Sequence, residues 1–274
     1  MKGQWYPGHM ARTKRVVKDL LKHVDVVIEV IDARVPASSR NPDVDALVGG
    51  KRRIIAMNKA DLAAVAETAR WSAFFARQGH QAVVLTATEG KGIHELAAAV
   101  QASAGARAGG RARRAMLLGI PNVGKSSLIN RLVRRAKTRT GALPGVTRGQ
   151  QWVRVGSAFE LLDLPGTLPP RLNDPDVVFR LAVTGALEAG AFDEVEAARK
   201  LIEYLQSERP EVLQERYGVA PGSPQGVLDG IAAARGLLRA GGGTPDATRA
   251  AQVVLSEFRS GRLGRFTLDP APSA

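Results

Sequence analysis

"GIPNVGKSS", residues 119–127, follows the apolar run "AMLL" (115–118) and precedes the amphipathic stretch "LINRLV" (128–133). Gly-x-x-x-x-Gly-Lys-Ser between a strand and a helix is a phosphate cradle. The backbone N–H groups of Asn122, Val123, Gly124, Lys125, Ser126 and Ser127 lie where they wrap phosphates at a helix N-terminus. Lys125 brings a cation to the outer phosphates, and the Ser126 hydroxyl suits Mg²⁺. A second nucleotide signal, "NKAD" at 58–61, stands well before the cradle. In an ordinary GTPase the cradle comes first, so the two motifs are either unrelated or joined in a re-cut chain.

The residues around each motif favour the second choice. The aspartate of "NKAD" offers two acceptor oxygens, which match guanine's ring N–H and exocyclic amine. Adenine offers no such pair, and an unpaired buried carboxylate costs about 1–3 kcal/mol per lost bond. Asp61 is therefore the base reader, Asn58 braces the loop, and the Lys59 stem lies over the base. "TAT" (86–88) closes the next strand, where Thr86 and the Ala87 N–H face the base oxygen. On the phosphate side, "DLPG" (163–166) ends a strand. Asp163 is placed to hold Mg²⁺ through water, and Gly166 lets its N–H approach the terminal phosphate. Thr147, in the loop between cradle and "DLPG", is the second Mg²⁺ ligand. Alone, Asp-x-x-Gly is mostly a turn; with the cradle it is a set.

Apolar, β-branched runs at 25–34 and 82–88 read as strands, and "RRIIAMNKAD" (52–61) as a strand ending in a polar loop. So do "AMLLG", "QQWVRV" and "FELLDL". Helical patterns alternate with them, at 63–77, at "IHELAAAVQA" and after the cradle. This is an α/β class with a mostly parallel sheet. The basic, glycine-rich "SAGARAGGRARR" (103–114) is a connector. Residues 134–149, "RRAKTRTGALPGVTRG", read as a long basic loop. The chain supplies base-reading strands first and phosphate-reading strands second. Joining the old ends and cutting elsewhere leaves one pocket unchanged, which makes residues 1–175 a circularly permuted P-loop GTPase domain. After residue 175 the β pattern stops. Val195, Ala198, Leu201, Ile202 and Leu205 share one helical face, as do Val227, Ile231, Ala234 and Leu238, and Ala250, Val254 and Phe258. Residues 176–274 read as a small all-α domain.

Charge follows the same division. Residues 1–175 hold 28 Lys and Arg against 13 Asp and Glu, a net of +15, whereas residues 176–274 hold 11 against 13, a net of −2. The basic surface belongs to the nucleotide half and points to a polyanionic partner. Lys14, Arg15, Lys18 and Lys22 on an amphipathic stretch after a Pro-Gly turn, Arg107 to Arg114, and Arg134 to Arg139 are its candidates. With no cysteine, disulfides, thiolate metal sites and a cysteine nucleophile are excluded. No apolar run is long enough to span a bilayer, and "MKGQWYPGHM" has no signal-peptide core. The expectation is a soluble, cytoplasmic monomer with no membrane partner.

"WYPGHM" (5–10), "DARVPASSRNP" (32–42), "MNKADL" (57–62), "GIPNVGKSSLIN" (119–130), "PGVTRG" (144–149) and "DLPGT" (163–167) together resemble the YlqF/ribosome biogenesis GTPase A family. The resemblance covers the GTPase half, and the helical tail has the size that family carries. It implies a GTPase that turns GTP into GDP and phosphate. Its partner would be a late precursor of the large ribosomal subunit, with ribosomal RNA and ribosomal proteins, and it would leave after hydrolysis. Tyr6 stands where the family usually has Phe, and "TAT" where Ser-Ala is usual. Ras-like enzymes orient the attacking water with a glutamine after the glycine loop; here Thr167 and Leu168 follow Gly166. The resemblance points to His9 as the substitute, joining Lys125 and Thr147 as catalytic candidates. Similar GTPases use an asparagine at the position of Asn122 to hold K⁺. Two other readings remain at this stage. A P-loop ATPase or kinase is opposed by "NKAD". An RNA-binding scaffold with structural nucleotide is tested by turnover.

Overall fold

Seven consecutive residues with every side chain buried, Val26–Asp32, make β1 the centre of a six-stranded sheet. Such a run suits a strand covered on both faces. This computed structural model describes residues 7–103, 112–140, 151–156, 159–163, 172–239 and 243–272. They condense into two compact units. The first comprises residues 1–171 with 267–274, and the second residues 172–266.

In the first unit, helix α1 (Pro7–Leu21) leads into β1, followed by α2 (Asp43–Val48), β2 (Arg52–Asn58), a 3₁₀ turn (Ala60–Leu62), α3 (Val65–Arg77), β3 (Gln81–Val84) and α4 (Ile93–Ala102). Then come β4 (Arg113–Leu118), α5 (Lys125–Thr140), β5 (Gln151–Val155) and β6 (Phe159–Asp163). The sheet order is β3-β2-β1-β4-β6-β5, parallel except for the β5–β6 pair. Successive strands first run outward from β1 to β3. The chain then returns to the other side of β1 with β4. The order therefore reverses between β1 and β4, which is where ligands sit in open α/β sheets, beyond the carboxyl ends of the strands. This is the mixed, mostly parallel α/β architecture that the sequence led us to expect, with the base-motif strands supplied before the cradle strand.

Both faces are covered. Val17, Leu20, Leu21 and Val24 pack with Val27, Val44, Val48 and Met116 on one side of β1. Ile31, Ile55 and Met57 continue that face under Trp71 and Phe75 of α3. Between these two apolar clusters Glu29, 1% exposed, accepts from Arg40 (3.1 Å) and Arg53 (3.2 Å). A buried carboxylate there is tolerated because two guanidinium groups answer it.

Three local expectations change. Pro7-Gly8 forms the first turn of α1 rather than a separate turn, as fits a proline whose missing N–H is not needed there. Val16 is 43% exposed, so only Val17, Leu20 and Leu21 of the expected stripe face the core. Residues 134–140 extend α5 instead of opening a loop. Arg and Lys are good helix formers, so the segment can continue a helix without an apolar period. The segment 141–150 lies outside the described residues.

The second unit holds α6 (Pro175–Thr184), α7 (Glu194–Glu208), α8 (Glu211–Tyr217), α9 (Pro224–Ala234) and α10 (Ala247–Arg259). Asp174, Asp193, Ser223 and Asp246 cap four of these helices through their side chains. Leu201, Ile202 and Leu205 of α7 and Ala250, Val254 and Phe258 of α10 are buried as expected. On α9 the buried face is Val227, Leu228, Ile231 and Ala232. Ala234 is the last residue of that helix and exposed, and Leu238 lies past it, bridged to Pro245. The helix ends before the next turn of its apparent period. Inside the unit Glu257, 4% exposed, receives Arg216 (2.6 Å) and Arg235 (3.3 Å).

The sequence places a boundary near residue 175, and the described units part between 171 and 172. Residues from Thr267 onward return to the first unit.

Candidate nucleotide site

The register puts Asp32 at the end of β1 beside Asn58 at the end of β2. On the other side, β4 ends at Leu118, beside Glu29. The chain leaving β4 therefore passes the last turn of β1 at close range. A Cβ on Gly119 would stand 2.5 Å from the Val30 carbonyl oxygen, so only glycine allows that approach.

The two motifs meet here although they lie more than sixty residues apart. Asn58, 3% exposed, donates its amide to the Val123 carbonyl (2.8 Å) and accepts from the Ala87 N–H (3.0 Å). One side chain thus ties the "NKAD" loop to the cradle and to the loop after β3. The Ala87 N–H, expected at the base oxygen, is donated to Asn58 in this arrangement. Lys59 donates to the Asn122 carbonyl (2.8 Å). Lys59 and Asn122 are also the two non-glycine residues with positive φ among the described residues, both at 60°. Left-handed backbone at such residues costs on the order of 1–3 kcal/mol each and persists only where surroundings hold it. Here each strained residue is held by the other.

Asp32 is a residue that motif reading missed. It is 1% exposed and takes Lys59 at 2.9 Å and Arg34 at 3.0 and 2.7 Å. Arg34 is itself 2% exposed. Burial would push the Asp32 carboxyl up. The Arg34 and Lys59 cations outweigh that and hold it far below the usual carboxylate range. Asp32 is thus ionised and anchors the lysine of "NKAD". The available signal was a charged residue closing a mostly apolar strand, in "VVIEVIDAR". Arg131 was also missed. From α5 its guanidinium donates to the Ala87 carbonyl (3.1 Å) and the Thr88 carbonyl, joining the phosphate-side helix to the base-side loop.

The cradle itself runs into the N-terminus of α5. The first backbone bond within α5 runs from the Leu128 N–H to the Gly124 carbonyl (3.0 Å). The N–H groups at the start of the helix therefore have no intrahelical acceptor. Ser126 and Ser127 are exposed. Lys125 folds its ammonium onto the Gly119 (3.0 Å) and Ile120 (2.6 Å) carbonyls at the loop. Gly124 has φ +96°, and a Cβ there would run into the Asn58 amide. Asp61 is half-buried in the 3₁₀ turn. Its carboxylate has no protein partner among the described residues. A set of helix-end N–H donors, a lysine, a serine hydroxyl and a carboxylate fits a guanine nucleotide with a divalent cation. Among the described residues no group of three or more His, Asp or Glu could hold a metal alone. Mg²⁺ bound mainly by phosphate oxygens and water needs none.

Thr86 is buried at the turn after β3, its N–H donated to the Lys91 carbonyl (3.1 Å). Asp163 is the last residue of β6, two strands from β1; its side chain, and Thr147 and Gly166 entirely, lie outside the described residues. The backbone of His9 is in the first turn of α1; its side chain is likewise outside. Of the basic candidates, Lys14 is committed to Asp43 (2.8 Å) and Arg114 to Glu160 (3.1 Å), while Arg15, Lys18 and Arg134 are exposed. Among the described residues no helix is long and apolar enough to cross a membrane.

A family model described as 50S ribosome-binding GTPase matches residues 114–212, from β4 into α8. Ribosome biogenesis GTPase A of Bacillus cereus is 42% identical, over 97% of this chain and 93% of its own. The protein of that name from Thermotoga maritima is 31% identical, over 97% and 93%. The solved structure of GNP-bound YlqF from T. maritima superposes with a TM-score of 0.69 at 28% identity, covering 96% of this chain and 100% of that one. A GDP-bound YlqF structure matches equally, over 93% and 99%.

Proposed function

This chain belongs to the ribosome biogenesis GTPase A family, and on that premise we propose that it acts late in maturation of the large ribosomal subunit. It is a GTP hydrolase. In the proposed cycle it binds the precursor particle as the GTP form and leaves as the GDP form. The observation that carries the reading is the joining of "NKAD" to the cradle through Asn58–Val123 and Lys59–Asn122. Two motifs in reversed order form one site.

In that site Asp61 reads guanine's ring N–H and amine, and the cradle N–H groups with Lys125 take the phosphates. Ser126 and Thr147 would hold Mg²⁺, with Asp163 acting through water. Bound there, the cation draws charge from the phosphate oxygens. Asn122 would hold K⁺ in the same role. His9 would orient the attacking water when the particle orders its surroundings, a supply in trans that is worth about 10³–10⁵ in rate for GTPases. Ribosomal RNA would meet the basic surface, led by the exposed Arg15, Lys18 and Arg134, and each phosphate contact removed flattens the log–log salt slope by roughly 0.7–0.9.

The test of the nucleotide reading is Asp61→Asn. Its amide matches xanthine's extra carbonyl, so the variant loses GTP and gains xanthosine triphosphate. Unchanged GTP affinity overturns the base-reading role. The test of the ribosomal reading is co-sedimentation with large-subunit precursors. Binding should require GTP, and His9→Ala should keep GTP affinity while losing most of the particle-stimulated single-turnover rate. Equal binding with GTP and GDP overturns the cycle.

A further inference from the structure

The last described residues of a chain usually fray unless something ties them down. Here Thr267, Leu268 and Asp269 are 7%, 5% and 2% exposed. Each is bonded to a segment that leaves the nucleotide site. The Leu268 N–H donates to the Arg34 carbonyl at 2.7 Å. Asp269 accepts from the Ser38 N–H (2.7 Å) and the Ser38 hydroxyl (2.9 Å), and its carbonyl accepts from the Trp71 indole (2.9 Å). Thr267 Oγ1 accepts from the Ala64 N–H at 3.1 Å. The Ala271 N–H donates to Glu67 at 3.1 Å. This strap therefore grips both the segment after Asp32 and the segment after Asp61, about two hundred residues away in sequence.

Asp61 stands in a three-residue 3₁₀ turn, Ala60–Leu62. Such turns have poor hydrogen-bond geometry and hold their shape weakly. The direction of the Asp61 carboxylate therefore depends on what fixes each end of the turn. The entry is fixed by Asn58 and Lys59, as above, and by the Ala60 N–H on the Leu85 carbonyl (3.2 Å). The exit passes through Ala63, fully buried beside Trp71 and Phe75, to Ala64. The Ala64 N–H opens α3, where no intrahelical acceptor exists, and Thr267 supplies the acceptor. We propose that Thr267 is a positioning residue for guanine recognition, setting the exit of the Asp61 turn from the far end of the chain. This rests on Asp61 being the base reader. Asp269 and Leu268 hold the strap in place, so that the Thr267 hydroxyl meets Ala64.

The test uses the full chain as wild type, Thr267→Val and Thr267→Ser, titrated with GDP and with inosine diphosphate. Inosine keeps guanine's ring N–H and lacks its exocyclic amine, so the ratio of the two affinities reads the aim of Asp61. Valine keeps the shape and removes the acceptor. We expect Thr267→Val to shrink the preference for GDP about tenfold, the worth of one hydrogen bond. Affinity for inosine diphosphate, which offers Asp61 one donor instead of two, falls less than affinity for GDP, and Thr267→Ser restores the wild-type ratio. Asp269→Asn, which keeps shape and weakens the hold on Ser38, should shrink the ratio in the same direction. If Thr267→Val melts earlier yet keeps the wild-type ratio, the strap is only structural and the proposal is overturned. If the wild type itself shows no preference for GDP, the base-reading role of Asp61 falls, and the strap's role with it.

Discussion

The two sides of the proposed nucleotide site are built on opposite plans. On the base side nearly every polar group is engaged. Asn58 bonds two loops, Asp32 binds Lys59 and Arg34, and Thr267 closes the turn that carries Asp61. On the phosphate side the cradle presents helix-end N–H groups and two exposed serines. Base identity demands a carboxylate aimed within a hydrogen-bond length, so the aim is prepared in the protein. Phosphate and Mg²⁺ bring strong charges of their own, and open donors suffice for them. Changes on the base side should therefore unsettle the fold, and changes on the phosphate side should spare the fold and cost only ligand.

The sharpest way to break that contrast is Asp32→Asn. It leaves Arg34 buried without its counter-charge and frees Lys59, so the unfolding free energy should drop by about 3–5 kcal/mol, the cost of breaking a buried ion pair. Denaturant titration of the first unit's transition measures it, and a loss under 1 kcal/mol would place Asp32 outside the anchor. Gly124→Ala comes next, because it strikes both sides at once. Its Cβ meets the Asn58 amide at a backbone conformation that alanine rarely adopts. A penalty of about 2–3 kcal/mol appears as earlier melting and a GDP affinity lower by at least tenfold. Ser126→Ala tests the open side. Its stability without nucleotide should stay within about 0.5 kcal/mol of wild type, while its GTP affinity loses its response to added Mg²⁺. A variant that melts earlier without nucleotide would show that the phosphate side also carries the fold.

The smallest effect concerns His80, at the outer edge of the first unit. Its Nε2 lies 2.8 Å from the Arg53 guanidinium. Burial first, then the Arg53 and Arg40 cations, hold the imidazole below its ordinary value of 6.5, against a weaker pull from Asp45. The unfolded chain then binds a proton that the native chain refuses. The stabilisation is complete above pH 6.5 and drains as pH falls toward the depressed native value. His80→Gln should flatten the stability profile between pH 7 and pH 5, where wild type declines. A wild-type profile as flat as the variant's removes His80 from the account.

Much of the site is written locally. Gly119 to Ser127 needs only its own spacing and the strand and helix beside it, and "NKAD" needs only the end of β2. Hydrophobic runs located the strands, because buried parallel strands are mostly apolar, although β3 ends at Val84, short of the expected 88. The reversal of the motifs could be resolved because a permuted chain closes the same pocket, and the order β3-β2-β1-β4-β6-β5 sets the two halves side by side. The misjudged parts were those where local signals compete. Charged residues 134–140 suit a solvated helix as well as a loop, and the period through Leu238 ran past the real end of α9.

By itself, then, the sequence determined the motifs, the class of fold and the permutation, since each motif is read from residues within a turn or a strand of one another, and the fold class and permutation from the order in which such segments follow along the chain. Only the tertiary structure decided that Asp32 anchors Lys59, that Arg131 ties the cradle helix to Ala87, and that Thr267 closes the Asp61 turn. Those bonds join groups from 27 to 203 residues apart, as with Asp32 to Lys59 and Ala64 to Thr267. An aspartate ending a strand or a threonine near a chain end has no local period or motif to mark its partner. The pairing follows from which backbones the closed sheet and the returning chain bring within hydrogen-bond reach, and from the cost of burying any of those groups unpaired.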